Sequence, residues 1–385
     1  MKKFLAADFW LVYNFDNPNK RYQKFLSRGR NSFKRLIESL LLYDNIVLPT
    51  QDFLTLSVLV GVLGENEVIE LLESKSISFL RVKGSLAYLG NGGGVQSYLI
   101  GGPNQPFEPF CAPIDEAISW ALNGLAEKPK SRKLPQLVLK ATTELELSKV
   151  AKDVKHETYQ DILSSSELRN YFAIRNTDLD RLTGISPKQV RIFGGRDSNW
   201  QGDEIDIVMA ITNTNLELRM MEFAKSDDAI TDNPIRILLE AKAQRTLQRS
   251  SEIAFTEFKE ISGLPDIGEA VLQKQTSLYK ILEIDRSRDA DKFREWFHVN
   301  CRKDTITTAK EYTNLFKKVP LIQKLPSRII RFITTNIVGF INPGVGIGTA
   351  LVDSFFIDRL LRGNSPKFFI EELDRITSKA EQKMK

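Results

Sequence analysis

A basic segment near the start of the chain carries the residue types that bind nucleic-acid backbones. No acidic residue lies between Asp16 and Glu38, and aromatic side chains are interleaved with the cations. Lysine and arginine neutralise phosphates with release of counterions, and aromatic faces stack on unpaired bases. The candidate nucleic-acid-binding residues are Lys20, Arg21, Lys24, Arg28, Arg30, Lys34 and Arg35.

The same segment also suits an ordinary amphipathic helix. Phe25, Phe33, Leu36 and Ile37 recur at helical spacing, and they predict a buried stripe opposite a solvated cationic face. An anionic membrane surface or an acidic protein patch would suit these cations as well. The sequence leaves these interpretations open.

Catalytic and metal-binding signatures are not evident in the sequence. His156 and His298 are the only histidines, so a zinc site would have to recruit both of them with distant carboxylates or cysteines. Glu240 and Lys242 imitate part of a nuclease motif, but their surroundings predict a helix, where residues two apart do not face each other. We therefore expect no cofactor and no metal, and we favour a binding protein over an enzyme.

Two glycine-rich stretches, residues 90–94 and 344–348, lack the context of a phosphate-binding loop. Neither is followed by the lysine and hydroxyl residue of a P-loop, and the first has no dinucleotide-binding glycine frame that opens a helix. The first stretch instead predicts the tip of a hairpin.

The composition is that of an ordinary globular protein. The chain has 385 residues, of which 42% are hydrophobic and 27% charged, with a net charge of +5 that permits an anionic partner without requiring one. The two cysteines, Cys111 and Cys301, are too few for a disulfide framework. Asp8 ends the first apolar run too early for a secretory signal, so we expect a cytoplasmic protein.

The first third of the chain predicts alternating strands and helices. The patterns indicate a strand at residues 9–15, a basic helix at 20–42 and a buried strand around Ile46 to Leu48. Two helices then flank a stop at Gly64. They are followed by a strand in "SISFLRV" and a hairpin or loop pair in "SLAYLGNGGGVQSYLIGG".

The predicted fold class is α+β, with a smaller N-terminal α/β domain before a larger, mainly helical one. The basic, proline-containing stretch 128–136 predicts a linker between domains at 1–127 and 137–385. Beyond it nearly every segment has helical spacing, including "DEIDIVMAITNTNLELRMMEFAK" and "DADKFREWFHV".

An uncharged run of 21 residues spans positions 332–352. Its length suits a bilayer, but the central Asn342-Pro343-Gly344 would break a spanning helix, so we predict a helical hairpin at residues 326–361. A core hairpin, an oligomer interface and a hairpin released into a membrane after a conformational change are the alternatives. The candidate interface or membrane residues are Phe332, Ile337, Phe340, Gly344, Gly346, Gly348, Phe355 and Phe356.

Five stretches resemble uncharacterised bacterial proteins encoded in phage-defence neighbourhoods. These stretches are residues 40–49, 293–297, 325–332, 353–363 and 365–373. The resemblance implies a role in antiviral defence as a sensor, an adaptor or a toxic effector. Together with the residues above, it predicts a binding or sensing protein that acts through protein–protein interaction or self-association. The alternatives are nucleic-acid binding and membrane permeabilisation.

Overall fold

The structure is a computed structural model, and it describes residues 2–9, 30–91, 94–101, 108–125, 129–174, 203–230 and 267–300. Internal contacts divide the chain into two compact units. The first unit is Met1–Ser32 with Tyr43–Thr246, and the second unit is Phe33–Leu42 with Leu247–Lys385. This division differs from the sequence prediction, which placed a boundary at residues 128–136.

The first unit is built on a parallel sheet of five strands. The strands described are β1 (Lys3–Ala6), β2 (Asn45–Thr50), β3 (Ile77–Lys83), β4 (Ser85–Asn91), β5 (Gly94–Ile100), β6 (Thr142–Glu146) and β7 (Asp228–Ile230). The sheet has the order β6-β3-β2-β1-β7, and each neighbouring pair is parallel. The mixed α and β character expected from the sequence is confirmed.

Twelve α-helices lie within the described ranges. They are α1 (Arg30–Ser39), α2 (Leu54–Leu63), α3 (Glu65–Glu73), α4 (Glu108–Cys111), α5 (Ile114–Asn123), α6 (Lys133–Lys140), α7 (Leu147–Ser164), α8 (Ser166–Ile174), α9 (Asp203–Ala224), α10 (Ile267–Leu272), α11 (Leu278–Asp285) and α12 (Arg288–Asn300). The predicted helices at α2, α3, α9 and α12 are confirmed, as is the stop at Gly64, whose φ is 105°.

Two predictions of secondary structure need correction. The strand expected at 9–15 is wrong at its first residue, because Phe9 ends a short 3-10 helix (Ala7–Phe9) and the strand itself is Lys3–Ala6. Residues 10–15 lie outside the described residues. The expectation that nearly every segment beyond residue 136 is helical is wrong at β6 and β7, which add to the two edges of the sheet.

Both faces of the sheet are covered. Leu80 and Val82 point to one face and join a core with residues of α7, α8 and α9, including Val154, Phe172 and Met220. Phe79 and Arg81 point to the other face because strand side chains alternate, and there they contact Phe53, next to the start of α2. Helices on both faces are the usual companions of a parallel sheet, whose strands are buried on both sides.

The strands β4 and β5 form the predicted hairpin, an antiparallel pair with Ser85 opposite Ile100. Tyr88 of β4 is buried in the core shared with α9, and α9 packs against β4, α7 and β1. The hairpin therefore belongs to the layer of α7 and α9.

The predicted linker at residues 128–136 is described from residue 129, and α3 holds it in place. The Glu65 carboxylate accepts hydrogen bonds from the backbone N–H groups of Lys130 (3.0 Å) and Ser131 (2.8 Å). Glu73 forms an ion pair with Lys133, where α6 begins. These contacts keep the basic segment within the first unit.

The described part of the second unit is helical. Its buried residues include Phe33, Leu36 and Ile37 of α1 and the aromatic group Phe293, Trp296 and Phe297 of α12. The prediction that these three aromatic residues are core residues is confirmed. Ring centroids of Phe293 and Phe297 lie 5.7 Å apart in a stacked arrangement.

Candidate functional site at the carboxyl edge of the sheet

The sheet has a topological switch point between β1 and β7. After β1 the chain continues to β2 on one side, whereas β7 lies on the other side of β1. Loops diverge at such a point and leave a crevice outside the carboxyl ends of the strands, where open α/β sheets bind ligands. Ala6 and Ile230 are paired at this end of the two strands. The carboxyl edge beside them is the candidate site.

The start of α2 joins the ends of β1 and β2 at this edge. The Thr55 hydroxyl lies 3.2 Å from the carbonyl oxygens of both Phe9 and Pro49 and can donate to either. Thr55 is fully buried, so these contacts are shielded from water. The contacts position the turn after β1, which contains Asp8, relative to the turn after β2.

The turn between β2 and α2 has a left-handed residue. Phe53 precedes α2 with φ 58° and ψ 19°, a conformation that is uncommon for a bulky side chain. The carboxylate of Asp52 accepts a hydrogen bond from the Leu54 N–H at 3.2 Å, and the Phe53 ring is buried against Phe79. The contacts of the buried ring compensate for the strain of the left-handed backbone conformation at Phe53, so the turn has a defined shape.

Arg81 of β3 holds three segments of the carboxyl edge together. Its side chain is 0% exposed and donates to Glu144 Oε1 (2.9 Å), to the Ala112 carbonyl (2.9 Å) and to the Gln51 carbonyl (3.4 Å). A buried guanidinium is tolerated when its donors are satisfied and its charge is paired. Arg81 thereby ties the turn after β2, the turn before α5 and the strand β6 to β3.

Two glycines allow the hairpin ends to approach β3 closely. Gly84 and Gly101 have φ of 109° and 76°, and a Cβ at Gly101 would lie 2.8 Å from Phe110 Cβ and 3.2 Å from Gly84 Cα. The Gln51 side chain donates to the Gly84 carbonyl at 2.7 Å. Larger residues at these positions would separate β3 from the segment before α5.

A second group of buried polar side chains lies away from this edge, between β4, α7 and α9. The Thr212 hydroxyl donates to the Tyr88 hydroxyl at 2.9 Å and is 3.3 Å from the Thr158 hydroxyl. Asn215 donates to Asp161 at 2.9 Å. Burial raises the pKa of Tyr88 to about 12, against a smaller lowering by the Thr212 hydrogen bond. The tyrosine therefore remains neutral and acts as a hydrogen-bonding group.

Lys155 of α7 is buried in the same unit, with 1% of its surface exposed. Burial and, to a smaller extent, repulsion from Lys152 lower the pKa of its ammonium group to about 8. Buried lysines with lowered pKa values can act as nucleophiles or bases, but they also occur as structural groups.

The structure places only three of the seven candidate nucleic-acid-binding residues within its described part. Arg30 is exposed, Arg35 is half-buried, and Lys34 forms an ion pair with Glu269 at 3.1 Å. The predicted buried stripe is confirmed at Phe33, Leu36 and Ile37, which lie in the core of the second unit. The candidates outside the described residues are Lys20, Arg21, Lys24 and Arg28.

The apolar hairpin predicted at residues 326–361 lies outside the described residues. All eight of its candidate interface or membrane residues therefore remain predictions. Within the parts of the chain that the structure describes, no helix combines the length and the apolar character needed to cross a bilayer. The same described ranges hold no cluster of three or more histidine, cysteine, aspartate or glutamate side chains arranged for a metal ion.

Sequence reasoning missed the carboxyl edge because it missed β6 and β7. A signal for Arg81 was present, since a single arginine interrupts the apolar strand "SISFLRV" at a position that faces a core. Comparison with protein-family models, curated proteins and solved structures finds no match to this chain. The resemblance to phage-defence proteins remains a prediction.

Proposed function

We propose that this protein is a binding or sensing protein whose ligand occupies the carboxyl edge of the first unit at the β1–β7 switch point. The observation that carries the proposal is the strand order of the parallel sheet, with β7 and β2 on opposite sides of β1. Nucleotides and other small phosphate-bearing molecules are the usual ligands at such an edge. The proposal rests on topology, and it names no catalytic residue.

The organised turns at the edge also support ligand binding. Thr55 joins the ends of β1 and β2, and Arg81 holds the turn after β2 through the Gln51 carbonyl. Preorganised loops lose less conformational entropy when a ligand binds, which favours affinity. Sensing would follow if the bound state altered a surface used by another protein or by a second copy of this chain. The sequence resemblance proposes a role in bacterial antiviral defence, and the short apolar run before Asp8 proposes a cytoplasmic location.

Hydrogen exchange of the intact protein tests the ligand site. ATP, GTP, NAD and inorganic phosphate serve as probes, and we expect one of them to slow exchange in residues 7–9, 50–56 and 228–230. Thr55→Val should weaken this protection, because it removes the hydroxyl that joins the turns after β1 and β2. Ser57→Ala is the matched control, because that hydroxyl also lies on α2 but donates to Ala121 instead.

Two results would contradict the proposal. Protection confined to the opposite edge, around Lys3, Asp44 and Asp227, would place the ligand elsewhere. If none of the four probes slows exchange, nucleotides and phosphate are excluded as ligands. Equal weakening by Thr55→Val and Ser57→Ala would show that α2 acts only through stability.

Nucleic-acid binding by the basic segment remains the alternative, and the structure sharpens its test. Lys34 should be left intact, because it forms an ion pair with Glu269 and its loss could act through stability. Replacing Lys24, Arg28 and Arg30 by glutamine should abolish salt-sensitive retention on single-stranded DNA or RNA if this alternative holds. Membrane permeabilisation likewise remains a prediction of the sequence.

A further inference from the structure

The first unit carries a basic surface on α6 and on the segment that leads into it. Between Glu127 and Glu144 the sequence has five basic residues and no acidic one. Four of the five lie within the described residues and are exposed, and these are Lys130, Arg132, Lys133 and Lys140. This short stretch therefore holds a local excess of positive charge in a chain whose net charge is only +5.

The backbone of this segment is held in place by α3. Besides the two N–H groups that Glu65 binds, the Lys133 N–H donates to the Ser131 hydroxyl at 3.1 Å. The Lys133 side chain pairs with Glu73. The three other exposed cations, Lys130, Arg132 and Lys140, form no ion pair with a carboxylate of the described residues. Their backbone is fixed while their side chains remain exposed.

The exposed polar residues of α6 lie along one side of the helix. Arg132, which precedes α6 in helical geometry, is four residues from Gln136, and Gln136 is four residues from Lys140. Residues with this spacing share a helix face. At 1.5 Å per residue, Arg132 and Lys140 lie about 12 Å apart along the axis, and Lys130 extends the row at its start. A row of cations suits an extended chain of negative charges better than it suits a single anion.

The apolar residues around this row favour a nucleic acid over a lipid surface. In α6, which the structure describes completely, Leu134 and Val138 are buried and Leu139 is the one large apolar side chain that is exposed. One leucine is too small an apolar face to anchor a helix in a bilayer interface. On α5, which packs against α6, the Trp120 ring is 44% exposed. Exposed aromatic rings stack on unpaired bases.

We propose that Lys130, Arg132 and Lys140 bind the phosphate backbone of a single-stranded nucleic acid, with Trp120 as a stacking surface for its bases. Phosphate contacts and stacking do not read base edges, so binding is independent of sequence. The surface lies in the layer of α2, because α6 packs against α3 and α5, and both of these pack against α2. It is a different part of the chain from the basic segment at residues 20–35.

Fluorescence anisotropy of labelled oligo-dT and oligo-U with the intact protein, measured over a range of salt concentrations, tests the surface. A variant with Lys130→Gln, Arg132→Gln and Lys140→Gln should bind about tenfold more weakly or worse. Its slope of log affinity against log salt should decrease by about 2, because each phosphate contact with a single strand contributes about 0.7. Trp120→Leu should keep the slope and weaken binding by about fivefold or more.

The matched control combines Lys149→Gln, Lys152→Gln and Lys225→Gln. These lysines are exposed and belong to α7 or follow α9, the helices that cover the other face of the sheet. The control removes the same amount of charge from the first unit, and it should bind as the parent does. An equal loss of affinity in the control would overturn the proposal, because net charge alone would then explain the binding.

Three other results would overturn it. One is loss of binding only when Lys24, Arg28 and Arg30 become glutamine, which would place the nucleic acid on the basic segment at residues 20–35. Another is competition by poly-L-glutamate as effective as that by unlabelled oligo-U, which would indicate an acidic protein partner. The third is binding to phosphatidylglycerol vesicles but to neither oligonucleotide. None of these results bears on the test of Thr55, which uses small ligands.

Discussion

The two units bury their polar groups in different ways. The first unit buries charged and hydroxyl side chains that join separate segments, such as Arg81 at the carboxyl edge and the pair Tyr88 and Thr212 between β4 and α9. The described part of the second unit contains packed aromatic rings and a close backbone contact at Gly268. Buried hydrogen bonds therefore join separate segments of the first unit at Arg81 and Tyr88, whereas close packing joins two helices of the second unit at Gly268.

This difference predicts which changes each unit tolerates. Removing one member of a buried polar group leaves its partners unsatisfied, which costs more than the hydrogen bond contributed. A close-packed contact is most sensitive to added volume, because neighbouring atoms must move to accommodate it. Arg81 and its partners in the first unit should be most sensitive to the loss of polar atoms, and Gly268 in the second unit to an added methyl group.

The largest effect is expected for Arg81→Met in the first unit. The substitution leaves the carbonyl oxygens of Gln51 and Ala112 without their donor and separates Glu144 from its buried partner. We expect the free energy of unfolding, measured by urea denaturation, to fall by about 3 kcal/mol or more.

Lys83→Met is the matched control for Arg81→Met. Lys83 lies 3.9 Å from the same Glu144 carboxylate but is partly exposed. Its loss should change the free energy of unfolding by less than about 1 kcal/mol. Similar losses in both variants would show that Glu144, and not the buried guanidinium, is the important group.

The next effect is expected for Gly268→Ala in the second unit. The new Cβ would lie 2.5 Å from Lys34 Cα. Neither atom can move away easily, because both are attached to helix backbone. We expect a loss of about 1 to 3 kcal/mol in the free energy of unfolding.

Gly124→Ala makes the same substitution in the first unit and is the control for Gly268→Ala. Gly124 has φ −76°, and the nearest atoms to an added Cβ would be 3.6 Å away. It should be neutral or stabilising by about 0.5 kcal/mol, because alanine loses less conformational entropy on folding. Equal destabilisation at both glycines would contradict the argument from close packing.

The smallest effect is expected for Lys155→Met, and it should be a gain. The folded-state pKa of Lys155 is lowered to about 8, chiefly by burial, so the folded state binds the proton more weakly than the unfolded chain does. The resulting penalty is fully present below pH 8 and disappears as pH rises toward the ordinary lysine pKa. At pH 7 the variant should be more stable by about 1 to 2 kcal/mol, with the gain shrinking at pH 10.

Thermal unfolding at pH 7 and pH 10 checks this prediction. Lys152→Met on the same helix is the control, since Lys152 is exposed and is only the minor cause of the lowered pKa. A Lys155→Met gain that does not depend on pH would indicate improved packing instead of relief of a buried charge.

Much of the fold could be predicted from local patterns. The strands β2 and β3, the hairpin of β4 and β5, and the long helices α9 and α12 are visible in apolar spacing and in the glycines that end elements. The strands β6 and β7 could not be found in this way. They have five and three residues and carry polar side chains, and they become strands by pairing with β3 and β1.

The candidate site shows the same limit. The sequence indicates that Arg81 lies in a strand, but its partners Gln51, Ala112 and Glu144 are 30, 31 and 63 residues away. The switch point depends on β7, which joins β1 across more than half of the chain. The contacts of Arg81 and the pairing of β7 with β1 leave no periodic signal in the sequence, because both join segments that are far apart in the chain.

The sequence by itself determined the elements whose apolar residues repeat at the period of a helix or a strand, because that repetition selects the local conformation that can bury them. It also determined that α1 has a buried face at Phe33, Leu36 and Ile37. Only the tertiary structure decided that this face belongs to the second unit while the strands on either side belong to the first. The apolar residues of a helix predict that its face is buried. Which surface buries it depends on shape and on contacts between residues far apart in the chain.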